Sequence, residues 1–132
     1  MDTLKIIVDN PTQNNLLGTV TILQGSADSG SGNQPFSTKG STPNFVKLLP
    51  NSSNTTWTVD VDDTVGNAVA IFQLYDSFQN PMATIIVNRI NSKNCTIPVA
   101  WDTSAFTVTG TGKPAAIAEP TEPVYNIKVT QP

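Results

Sequence analysis

The chain has 132 residues, a formal net charge of −3 and 13% charged residues, about half the usual charged share. Its polarity comes instead from 18 Thr, 13 Asn, 10 Ser and 6 Gln, which excludes a coiled coil or long-helix protein, since those need Ala, Glu, Lys and Leu in bulk. Disorder is excluded as well, because the net charge is small and apolar runs recur along the whole length.

Short β-branched runs alternate with Asn, Gly, Pro and Ser clusters, the rhythm of an all-β sandwich or barrel. The first run, Leu4 to Val8, closes at Asp9-Asn10-Pro11. The second spans Leu16 to Leu23, with Val20 and Ile22 alternating against Thr19 and Thr21. Residues 24–43 follow, Gly/Ser-rich and nearly free of apolar side chains. A structureless loop of that length is uncommon in a compact domain and is expected to be mobile or functional. Strand signals resume at Asn44 to Leu49, and Thr55 to Val61 then alternates cleanly, with Trp57, Val59 and Val61 on one face. Ala68 to Tyr75 and Met82 to Ile90, joined by a predicted hairpin at residues 76–81, are nearly continuous apolar runs. Such runs predict central strands covered on both faces. Thr96 to Trp101 and Ala105 to Thr109 are shorter strands, residues 111–123 a Pro-rich connector, and Val124 to Thr130 a last alternating strand. One helical turn at most fits between Pro114 and Pro120. The expectation is one domain over 1–132, an antiparallel β-sandwich of eight or nine strands rather than a closed barrel.

The chemistry is defined as much by what is missing. No histidine occurs, and Cys95 is the one cysteine. That removes the usual acid–base side chain near neutral pH, the Ser–His and Cys–His nucleophile pairs and most catalytic zinc sites. It also removes any disulfide within the chain. Seven basic residues are scattered and the pI is near 4.5, which speaks against nucleic-acid binding. No apolar stretch is long enough to span a membrane, and no basic region with an apolar run follows Met1, so no leader is expected.

Asp60, Asp62 and Asp63, with Asn67, form the one acidic cluster. Loop carboxylates of this kind suit a hard cation such as calcium, although turn-forming Asp between two strands explains the spacing equally well. A glycosidase would need two carboxylates held across a cleft, and no spacing here identifies such a pair. Three Asn-x-Ser/Thr acceptors, at Asn51, Asn54 and Asn94, occur at about the chance rate for this composition. Aromatic faces beside amides and hydroxyls suit sugar rings and lipid headgroups. Trp57 shares its face with Val59 and Val61 and reads as core. Trp101 and Asp102 at a strand end, Phe78 at a hairpin tip and Phe36 in the long loop are the ligand-contact candidates, although packing under its own loop is the preferred reading for each phenylalanine.

In size and strand rhythm the chain resembles small β-sandwich lectins and the aegerolysin-type cytolysins. The opening Leu4-Lys5-Ile6-Ile7-Val8-Asp9-Asn10 and the late Trp101-Asp102 carry the likeness to the second family. Its Trp- and Cys-rich segment is missing, and Cys95 precedes Trp101, so no site residue is carried over. From composition and loops, the expected function is a non-enzymatic module that recognises a neutral glycan or a membrane-surface ligand. The alternative is a structural protein that assembles as a homo-oligomer, in which the strand from Val124 could pair with a neighbouring copy's edge, although pairing with its own sheet is the preferred expectation for a short terminal strand.

Overall fold

In the computed structural model, residues 3–28, 32–62, 64–90, 94–96, 101–102, 107–112 and 124–130 are described, from Asn88 onward as backbone together with the Val129 side chain. These residues form eleven strands and no helix: β1 (Thr3–Asn10), β2 (Leu16–Gln24), β3 (Ser26–Ala27), β4 (Val46–Leu48), β5 (Ser52–Asp60), β6 (Ala68–Asp76), β7 (Pro81–Ile90), β8 (Asn94–Thr96), β9 (Trp101–Asp102), β10 (Thr107–Gly112) and β11 (Val124–Thr130). One sheet has the order β3-β5-β1-β11-β10-β9 and the other β4-β2-β6-β7-β8. The architecture is the all-β sandwich expected from the strand rhythm, with two sheets that do not close into a barrel.

Inward residues alternate along the strands as a half-buried pleat requires. Leu4, Ile6 and Val8 of β1 and Trp57 and Val59 of β5 face Val20 of β2, Ala70, Phe72 and Leu74 of β6, and Ile85 and Val87 of β7 in one buried cluster. Trp57 and Phe72 join the two layers edge-to-face, ring centroids 6.0 Å apart, a geometry that adds about 0.5–1.5 kcal/mol beyond the area buried. The buried Asn10 amide fastens the end of β1 to the loops beside it. Its Nδ2 donates to the carbonyls of Asn14, Leu48 and Leu49, and its Oδ1 accepts from Thr12 N and Oγ1.

Three details differ from the sequence-based expectation. The pair β1–β11 is parallel, Lys5 opposite Val124 through Asp9 opposite Lys128, while every other strand pair is antiparallel. The strand from Val124 therefore lies inside its own sheet, between β1 and β10, with Val129 fully buried. β6 is the middle strand of its sheet, as expected, but β6 and β7 are not covered on both faces. Ile71 is half-buried and Ile86 is 50% exposed on the outer side, because apolar outer residues extend what reads as a buried run.

The third difference concerns residues 24–43, whose described part is tied down rather than structureless. Gly25 turns the chain with φ +104°, and a Cβ there would lie 2.5 Å from the Asp60 carbonyl oxygen. β3 then pairs with β5. Asp28 N and Gln34 N donate to the carbonyls of Thr58 and Thr56 along the same edge, and Trp57 Nε1 donates to the Pro35 carbonyl at 3.0 Å. Phe36 packs against the core, and Ser37 N donates to Val20 O of the opposite sheet at 2.8 Å. The segment thus crosses one side of the sandwich from β5 to β2 and leaves 37–43 lying over the outer face of the second sheet.

Candidate functional site

The outer face of β2-β6-β7 and the 37–43 segment enclose a groove of about 270 Å³. Register explains its floor. Thr19 lies opposite Gln73 and Thr21 opposite Ile71 across β2–β6, and Gln73 lies opposite Thr84 across β6–β7. The wall is built by local hydrogen bonding. Ser37, bridged to Thr21, accepts the Asn44 N–H on its Oγ at 2.9 Å, which closes the segment on itself. Between them, Ser41 N donates to Thr38 O at 3.1 Å, with Gly40 at φ +78°. A positive φ at the third position is what a type II turn needs, and glycine takes it without strain.

Six hydroxyl side chains line the groove, from Thr19, Thr21, Ser37, Thr38, Ser41 and Thr84. Gln73 adds an amide, Lys39 an ammonium, and Leu23, Ile71 and Pro43 apolar surface, while no Asp or Glu among the described residues lines it. Gln73 is held by a neighbour on its own strand. The Tyr75 hydroxyl donates to its Oε1 at 3.0 Å, and the Tyr75 ring stands edge-on to Phe45 at 4.9 Å. Thr19 is the outlier. It is 1% exposed, and its hydroxyl finds no hydrogen-bond partner among the described residues. Leaving a buried hydroxyl unsatisfied costs roughly 1–3 kcal/mol.

The residues singled out from sequence fall elsewhere. Phe78 is 84% exposed at the β6–β7 turn, which the Asp76 carboxylate organises by accepting Phe78 N and Asn80 N on Oδ1 and the Asn80 side-chain amide on Oδ2. The Asn80 backbone N–H, then its side-chain amide, and less strongly the Phe78 N–H hold Asp76 below its ordinary value of 3.8, against some desolvation. A second groove of about 330 Å³ lies beside this turn, lined by Asn15, Leu16, Leu17, Lys47, Leu49 and Ser77. Phe36 is half-buried against the core, so its position is that of the packing reading.

Trp101 and Asp102 form β9, paired to Val108 and Thr107 of β10, and their side chains lie outside the described residues. Asp60 ends β5. Asp62 pairs with Asn67 and accepts Thr64 N on its own carboxylate at 2.9 Å, and Asp63 lies outside the described residues. Asp62 is thus engaged in its turn, and no group of three His, Cys, Asp or Glu among the described residues is placed to hold a metal. No helix among the described residues is long and apolar enough to cross a membrane.

The groove residues were missed from sequence because alternating Thr on a strand reads as a solvent-facing side. The available signal was the adjacency of Thr19/Thr21 to the Ser/Thr-rich 24–43 segment. No family model and no curated protein matches the chain. Among solved structures it is similar to IP-1A from Alcaligenes faecalis, at 14% identity over 98% of this chain and 91% of that one, with a TM-score of 0.68. At that identity the likeness is one of fold alone.

Proposed function

We propose that this chain is a non-enzymatic binding module that takes a hydroxyl-bearing, glycan-like ligand of a cell surface in the groove on the outer face of the five-stranded sheet. The observation that carries this reading is the hydroxyl-lined floor, with Thr19 in it, buried and with no hydrogen-bond partner for its hydroxyl among the described residues. Its volume lies near the lower end for ligand sites, about 300 Å³, which suits a sugar ring or two. Hydroxyls and one amide match a ring's polar edge, while Ile71, Leu23 and Pro43 match its C–H face. The wall is fixed in advance by the Ser37 and Thr38–Ser41 hydrogen bonds, which lowers the ordering cost of binding.

The self-assembling alternative has less support. Both sheets end in strands of two or three residues, β3 and β9 in one and β4 and β8 in the other, and short edges disfavour lateral pairing. A glycan array with wild-type protein and Thr84→Trp tests the proposal. Thr84 is a half-buried groove residue outside the core, and the indole would fill the groove. Binding by wild type that is lost in Thr84→Trp is expected. Silence across the array with folded protein, or binding indifferent to the indole, overturns the proposal.

A second reading, attachment to a membrane surface, is favoured by Phe78 (84% exposed) and Leu49 (55% exposed) flanking the second groove at one end of the sheet. Burying a phenylalanine contributes about 2 kcal/mol, so Phe78→Ala should weaken liposome binding roughly thirtyfold. Equal liposome binding by the two proteins removes this reading.

A further inference from the structure

The groove holds one charged side chain among its described polar groups. Gln73 Oε1 accepts the Tyr75 hydroxyl, and the side-chain NH2 is a hydrogen-bond donor. Ser37 Oγ accepts the Asn44 N–H and keeps one proton to donate and one lone pair to accept with. Lys39, exposed in the Thr38–Ser41 turn, brings an ammonium that can only donate. No carboxylate among the described residues lines the groove to neutralise it. An ammonium with no carboxylate beside it in the groove favours a ligand group that carries negative charge.

We propose that the groove selects an acidic saccharide, a sugar ring carrying a carboxylate, sulfate or phosphate that meets Lys39 while the ring rests on the hydroxyl-lined floor. This rests on the glycan reading and narrows it, departing from the neutral ligand expected from composition. A chain with net charge −3 places one lysine, and no carboxylate among the described residues, in the lining of the groove. The chemistry common to the three anions is an oxygen cluster accepting charge-assisted hydrogen bonds, which are roughly twice as strong as neutral ones.

The test is an array in which each neutral glycan is printed beside its own carboxylate, sulfate and phosphate forms. It is probed with wild type, Lys39→Gln and Gln73→Glu at low and high salt. Wild type is expected to prefer an acidic form at least about tenfold over its neutral parent, and the preference should shrink in high salt. Lys39→Gln should erase the preference at unchanged melting temperature, and Gln73→Glu should invert it by repulsion. Which anion binds identifies the source of the charge. Equal binding of neutral and acidic forms, or a preference that survives Lys39→Gln, overturns acid selection and leaves the glycan site standing. No binding of any form by folded protein overturns both readings.

Discussion

Replacing Thr19 by Val separates a side chain kept for folding from one kept for a ligand. The two share shape and β-branching, so strand geometry and the χ1 preference are retained, and the change exchanges one hydroxyl for a methyl. Thr19 is 1% exposed, and its Oγ1 has no partner among the described residues. Folding therefore removes that hydroxyl from water without compensation, at a cost of roughly 1–3 kcal/mol. Thr19→Val should recover about 1 kcal/mol, a rise in Tm of roughly 4 °C for a domain of this size. Thermal and urea unfolding followed by circular dichroism measure it directly. Glycan binding by the same variant should fall while stability rises, the trade expected where a functional group is kept against stability. A loss of about 1 kcal/mol or more on Thr19→Val would show that the hydroxyl is hydrogen-bonded in the folded protein, and would refute the reasoning.

The remaining predictions concern the scaffold. Asn10→Ala leaves three carbonyls and the Thr12 donors without the buried amide, so urea unfolding should show a loss of about 2–4 kcal/mol. Gly25→Ala forces a Cβ against the Asp60 carbonyl at φ +104° and should cost about 1–3 kcal/mol in the same assay. Phe78→Ala should change stability by less than about 0.5 kcal/mol, since the ring is 84% exposed; a larger loss would mean that the ring packs. Asp76 has a lowered folded pKa, so its contribution to the 76–80 turn is complete above its ordinary value of 3.8 and is lost as pH falls through the lowered folded value. Protection of the Phe78 and Asn80 amides, taken relative to their intrinsic exchange at each pH, should fall only at that acidic end, and a fall already on going from neutral pH to pH 5–6 would contradict the assignment.

Element identity was legible because β-branched and aromatic residues at period two leave few alternatives, as Trp57, Val59 and Val61 illustrate. Pairing was not. The parallel partnership of β1 with β11 joins the two ends of the chain, and neither strand carries a local mark of its neighbour. The outer apolar residues Ile71 and Ile86 made β6 and β7 look covered, since a run of apolar side chains does not reveal which face has a layer over it. The site escaped for a related reason. Thr19, Thr21, Gln73 and Thr84 come from three strands and gain meaning only once the 37–43 segment lies across them, and that placement depends on the hydrogen bonds of Gln34, Ser37 and Trp57 with partners remote in sequence. Aromatic residues drew attention by type, yet Phe36 serves the core.

The central claim is that ligand recognition occurs on the outer face of the five-stranded sheet. Titrating the two-dimensional amide spectrum with a panel of neutral hexoses and hexuronates tests it most directly. Perturbations should gather at Thr19, Thr21, residues 38–41, Gln73 and Thr84, with Phe78 and residues 101–102 unmoved. Shifts centred on the Phe78 turn or on 101–102, or no shifts with any member of the panel, would contradict the claim.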